Sequence, residues 1–113
     1  MVAIPSETAP LSATDLYQVL ETSDVPNGVI NIITGDKEEL TKVLANHDDV
    51  DGLWYFGSKE GSSLVQNAAA ENMKRTWVNF GKNRDWFNPK HVNAQDFLRH
   101  ATEIKNIWVP YGE

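Results

Sequence analysis

The sequence contains no cysteine, which excludes disulfides, thiolate zinc sites and thiol catalysis in whatever compartment the chain works. It is also short of positive charge. Ten Lys and Arg against sixteen Asp and Glu leave a formal charge of −6, and the basic residues are scattered. Nucleic-acid binding rests on clustered cations facing phosphates, so no nucleic-acid partner is expected. Long apolar runs are missing too. None approaches the ~20 residues that span a bilayer, and Met1 is not followed by a charged region and an apolar stretch of secretory type. No membrane partner is expected, and the default expectation for location is cytoplasmic. The three histidines, His47, His91 and His100, lie too far apart in sequence to suggest a metal site and read as surface or loop residues. Ser12, Ser58, Ser62 and Ser63 have no neighbour at a spacing that would activate a hydroxyl.

What remains is the composition of an ordinary globular domain. A length of 113 residues suits one hydrophobic core, and with 41% hydrophobic and 23% charged residues that core is expected to be modest. Trp54, Trp77, Trp86 and Trp108 are many for this length, and point to a packed core, an interface, or both.

Periodicity alternates between helix and strand. Leu11, Leu16, Val19 and Leu20 predict a first helix over residues 11–21, with Ser12 or Thr14 as its N-cap and a stop between Ser23 and Gly28. Gly28 to Gly35 is a β-branched run bounded by glycines and predicts a buried parallel core strand. Leu40, Val43 and Leu44 predict a second helix over 37–45, entered at Asp36, where a carboxylate favours the positive helix end. Val50 to Phe56 reads as a strand, Gly57-Ser58 as a tight turn, Leu64 to Met73 as a helix and Thr76 to Phe80 as another strand. Lys74-Arg75, the one basic pair of note, reads as a solvated turn before that strand. Residues 82–93 lack periodicity and read as a loop. A short helix from Asn93 or Asp96 through Ala101 and a last strand over Ile104 to Tyr111 close the chain. The alternation predicts an α/β fold with mostly parallel strands joined by right-handed crossovers and flanked by helices.

The order of these segments resembles the cofactor-binding domain of the aldehyde dehydrogenases. Pro5 to Ala13 resembles the family's P-S-E-x-T-P-L-S-A, and Pro26 to Gly35 its P-x-G-V-x-N-x-V-x-G. His47 to Asp51 and Phe56 to Glu60 are similar to the H-P-x-V-D that precedes F-T-G-S-T-E-V-G. Lys74 to Lys82 is similar to K-R-x-x-L-E-L-G-G-K, and Phe97 to Val109 resembles the family's C-terminal Y-T-x-x-K segment. The resemblance covers about residues 2–82 and 97–111, with the catalytic domain absent between them. It implies a Rossmann-like three-layer fold with a C-terminal extended strand. The expected organisation is a cofactor-binding-type domain over 1–82, a connecting loop over 83–96, and a C-terminal helix and oligomerisation-type strand over 97–113. Because Met1-Val2 begins abruptly in the first strand, a degenerate copy or fragment of a larger protein is expected.

The chemistry of the family is not expected here. Asn79 stands where the resemblance places the general-base glutamate, and an amide has no lone pair basic enough to accept the proton. The nucleophilic thiol is missing as well. For the cofactor, the resemblance implies Glu7 at the adenosine ribose, with Gly57 and Ser58 near the pyrophosphate at a helix N-terminus. Departures accompany them. Ile4 replaces the lysine preceding P-S-E, Phe56 the threonine of F-T-G-S, Gly61 the valine and Ser62 the final glycine. Two readings stay open for Ser58, a ligand contact and a plain helix cap. Glu7 admits an exposed loop carboxylate as its alternative, and Glu60 and Glu71 read as solvated.

No cofactor is expected for this chain alone, and NAD or NADP for the parent protein. Ile107, Trp108, Val109 and Tyr111 form the expected interface, pairing with the rest of the parent or with a second copy through the last strand, while Pro110 limits the pairing. The alternative is that this strand completes the domain's own sheet. The reading as a whole is a noncatalytic domain with a structural role in a larger aldehyde oxidoreductase. The alternative is a residual NAD(P)-binding module of an active one.

Overall fold

The computed structural model describes residues 1–112. Glu113, the last residue of the expected C-terminal segment, lies outside the described residues. The elements run β1 (Val2–Ala3), α1 (Leu11–Glu21), β2 (Asn31–Ile32), α2 (Lys37–Asn46), β3 (Gly52–Tyr55), α3 (Lys59–Ala69), β4 (Arg75–Val78) and α4 (Ala94–Ala101). Two compact units result, one of Met1–Gly81 and one from Lys82 onward.

In the first unit helices alternate with parallel strands, as the periodicity predicts. The sheet differs from expectation. Instead of one continuous sheet between two helical layers there are two ladders of two strands, β1 with β2 and β3 with β4, both parallel. Where they approach, a cleft of about 90 Å³ lined by Val2, Ile4, Leu53 and Trp54, together with Lys37 and Leu44 of α2, takes the place of a ladder. The expected core strand over 28–35 shrinks to Asn31–Ile32, and Val29 and Ile33 are exposed. Its β-branched run has strand preference, but only β1 pairs with it, and two residues of β1 can order no more than two of β2.

Local chemistry sets the helix starts. Asp36 accepts a hydrogen bond from the Glu39 N–H at 2.8 Å and caps α2, with Glu38 and Glu39 in the first turn facing the positive end of the dipole. Asn93 caps α4 through the Gln95 N–H at 3.0 Å. The expected caps of α1 are not used. Pro10 occupies that position with φ −68°, already helical, and the Thr14 hydroxyl donates to the Leu11 carbonyl at 2.8 Å inside the helix. The third helix begins five residues before Leu64 and ends four before Met73, because Ser58 caps it early and Met73, at φ 55°, has left the helical region.

The core lies where α2 and α3 cover β3. Thr41 and Ala45, four apart, are the buried residues of α2, and Ser62, Val65 and Ala69 those of α3; Ala45 and Val65 are fully buried and pack in one cluster. Tyr55, at the end of β3, completes the cluster, with Leu53, Leu64, Ala68 and Val78 packed around it. The tryptophans stay outside this core. Trp54 and Trp77 meet edge to face at 5.2 Å in the β3–β4 register, Phe56 adds a second edge contact to Trp77 at 5.2 Å, and Trp54 remains exposed. Lys74 also departs from the solvated turn. It is 8% exposed, and its ammonium donates to Asn72 Oδ1 at 2.8 Å. Asn72 in turn holds the Asp48 carbonyl at 3.0 Å, so the turn before β4 is tied down rather than left to water.

In the second unit the Arg84 guanidinium stands 5.6 Å from the Trp86 ring and 5.5 Å from the Phe97 ring, joining the irregular segment to α4 by cation–π contacts. The expected last strand does not form. From Glu103 to Gly112 the chain carries no ladder, and a strand exists only where another strand's N–H and C=O groups meet it.

Candidate functional site

Strands β3 and β4 end side by side, Tyr55 opposite Val78, so the segments that follow them are brought together. Gly57 and Ser58 lead from β3 into α3, and Asn79 and Phe80 leave β4. This places Asn79 beside Gly57. The Gly57 N–H donates to Asn79 Oδ1 at 2.9 Å, and both residues are half-buried.

Ser58 is the N-cap of α3. Its hydroxyl accepts from the Gly61 N–H at 3.0 Å, which satisfies one of the orphan donors of the first helical turn. Ser62, fully buried, points inward. It donates to the Ser58 carbonyl at 2.9 Å and accepts from the Phe80 N–H at 3.1 Å, locking the first turn of α3 to the exit of β4.

Glu7 sits elsewhere in the primary sequence but is drawn to the same neighbourhood through Lys37. Its carboxylate accepts from the Lys37 N–H at the start of α2. The Lys37 ammonium then donates to the Phe56 carbonyl at 3.0 Å and stands 4.7 Å above the Tyr55 ring. One lysine thus links the Glu7 loop, the N-terminus of α2 and the β3–α3 turn. Of the residues singled out in the sequence, Gly57, Ser58 and Asn79 come together directly, and Glu7 joins them through this bridge.

Lys37 and Tyr55 were not singled out, and Ser62 was named only as a hydroxyl without an activating neighbour and as the residue in place of the final glycine. A signal for Lys37 exists, since a cation in the first turn opposes the helix dipole and needs a compensating partner. Tyr55 carried none, and the inward role of Ser62 was not legible, because both depend on which side of β3 and α3 faces the other.

Glu60 and Glu71 are exposed, as are His47, His91 and His100. Among the described residues no group of three His, Cys, Asp or Glu is placed to hold a metal ion. A recess of about 1120 Å³ lies along α1 and β2 and includes none of Glu7, Gly57, Ser58 or Asn79 in its lining. At the other end of the chain Ile107, Trp108, Val109 and Tyr111 are all exposed, Trp108 to 92%. No helix is long and apolar enough to cross a membrane among the described residues.

An α/β unit with parallel strands, two of which, β2 and β3, end at capped turns leading into helices, is the class that this geometry defines. Residues 1–102 match the aldehyde dehydrogenase family, and the chain belongs to it. It is 38% identical over 78 residues to the NADP/NAD-dependent aldehyde dehydrogenase PuuC of Escherichia coli (strain K12), which covers 68% of this chain and 16% of that protein. With the cytosolic aldehyde dehydrogenase 1 of Elephantulus edwardii the identity is 32% over 105 residues, 92% of this chain and 20% of the relative. Among solved structures, the aldehyde dehydrogenase from Bartonella henselae superposes with a TM-score of 0.68 at 32% identity, over 74% of this chain and 18% of that one. KauB from Pseudomonas aeruginosa gives 0.64 at 37% identity, over 68% and 16%. The chain therefore spans about a fifth or less of the length of these relatives.

Proposed function

We propose that this chain is a noncatalytic aldehyde dehydrogenase-type domain with a structural or assembly role in a larger NAD- or NADP-dependent aldehyde oxidoreductase. The observation that carries this reading is the hydrogen bond from the Gly57 N–H to Asn79 Oδ1. At the position where the resemblance expects a proton acceptor, the chain has an amide, and that amide is engaged in holding the turn in front of α3. An amide oxygen accepts a hydrogen bond but does not take up a proton at neutral pH, so it fits the structural task and not the catalytic one. With no thiol in the sequence, a covalent acyl intermediate has no nucleophile either.

The exposed Ile107, Trp108, Val109 and Tyr111 support the assembly side of the reading. Extended apolar residues of this kind gain from burial against the parent's remaining domains or against a second copy. A second reading, a residual NAD(P)-binding module, is favoured by one observation: Ser58 remains exposed at the N-terminus of α3, where N–H groups and the dipole suit an anion. It is weakened because the Ser58 hydroxyl and the Glu7 carboxylate are both occupied by backbone donors.

The test is a nicotinamide-reduction assay of the purified chain with short aliphatic and aromatic aldehydes and each dinucleotide. No turnover is expected from the wild type or from Asn79→Glu. Aldehyde-dependent reduction by either protein would refute the noncatalytic reading.

A further inference from the structure

Neither Gly57 nor Gly61 has the positive φ that makes glycine necessary, in contrast to Gly28, Gly35 and Gly81. Space is what excludes a side chain at both. A Cβ on Gly61 would lie 2.1 Å from the Tyr55 hydroxyl and 2.5 Å from the ring carbon that bears it. A Cβ on Gly57 would lie 2.7 Å from the same hydroxyl and 2.8 Å from the Lys37 ammonium. The phenol therefore rests on both glycines at once. It is no loose surface group, since Tyr55 is buried in the α2–α3 core and Lys37 covers its ring.

Glycines in a strand–turn–helix segment serve one of two ends, the approach of a ligand to the backbone or the approach of the protein's own atoms. Here the second use is visible. We infer that Gly57 and Gly61 are a seat for Tyr55, and that the phenol fills from within the space these glycines would otherwise open to a phosphate-bearing ligand. The Ser58 hydroxyl is turned to Gly61 and Asn79 takes the Gly57 N–H, so two of the polar groups of the turn are engaged inside the chain. Gly61 is the specificity-determining position, since it decides whether the side chain at 55 can extend over the first turn of α3. This deepens the noncatalytic reading and rests on it in expecting no nucleotide to be used here.

A double-mutant cycle between Gly61→Ala and Tyr55→Leu tests the seat, with thermal unfolding of the full chain followed by circular dichroism. Alanine is the better helix former, so with Tyr55 out of the way Gly61→Ala should leave the midpoint unchanged or raise it by a few degrees. With Tyr55 in place the same change should lower it by about 5–10 °C, the range expected when a strained contact is forced into a domain of this size. Should Gly61→Ala fail to fold, a cooperative transition regained in the double variant reads the same coupling. Equal shifts in the two backgrounds would overturn the inference. The closure is tested separately by calorimetric titration of the wild type with ADP and with inorganic pyrophosphate. No saturable heat is expected up to millimolar ligand, and saturable binding of either would overturn closure. Neither outcome bears on aldehyde turnover, so the failure of this inference and the failure of the noncatalytic reading are distinguishable.

Discussion

Asn79 and Gly57, 22 positions apart, are joined by a hydrogen bond of 2.9 Å from the Gly57 N–H to the Asn79 side-chain oxygen. It exists because β3 and β4 run parallel and in register, which delivers the two strand exits to the same place. Removing the acceptor should leave a half-buried N–H poorly satisfied. Asn79→Ala is expected to lose about 1–2 kcal/mol of stability in urea unfolding. Asn79→Asp, which keeps an oxygen at the same reach, should lose clearly less. Equal losses would show that the acceptor is not what matters at this position.

Ser58 separates capping from ligand binding. Ser58→Ala is expected to cost about 1 kcal/mol, the usual worth of an N-cap, in the same unfolding experiment. Ser58→Asp should remain close to wild type, because aspartate caps well and its charge is favoured at a helix N-terminus. A strongly destabilised aspartate variant would contradict the capping geometry.

Val65 is fully buried between α2, α3 and β3. In so small a core there is little to collapse into the space it leaves, and Val65→Ala is expected to cost about 2 kcal/mol. The denaturant midpoint should fall while its slope stays constant, since the surface exposed on unfolding hardly changes. A midpoint shift near zero would place the true core elsewhere.

Trp108 gives the prediction about assembly. Being exposed in a segment without a ladder, it should contribute little to the fold, and Trp108→Asp is expected to change stability by no more than about 0.5 kcal/mol. Sedimentation of the wild type at several concentrations should reveal reversible association, and the same substitution should weaken it markedly. A wild type that is monomeric throughout, with no affinity for the remainder of its parent, would remove the interface reading of Ile107, Trp108, Val109 and Tyr111.

Much of the fold was legible in the residues. The order of helices and strands follows from where apolar residues recur every three or four positions and where β-branched runs interrupt them. Asp36 and Asn93 announce their helices by side-chain chemistry that acts within three residues. The misplaced features share a cause. Strand length depends on the partner, so the eight-residue run from Gly28 to Gly35 keeps only the two residues that β1 can pair, and Ile104 to Tyr111, with nothing opposite, forms no strand at all. Lys74 was misread for a related reason, since the amide that receives its ammonium matters more than the hydrophilicity of a Lys-Arg pair.

The sequence by itself determined what this chain lacks chemically, a thiol and a carboxylate at the position of Asn79, because the identity of an atom does not depend on folding. It also determined the family, through short motifs whose spacing survives substitution. Only the tertiary structure decided what the remaining polar groups do: that Asn79 holds Gly57, that Glu7 reaches the start of α2, and that Lys37 and Tyr55 fill the space above two glycines. Those assignments depend on distances of a few ångströms between residues far apart along the chain, which packing creates and local sequence does not encode.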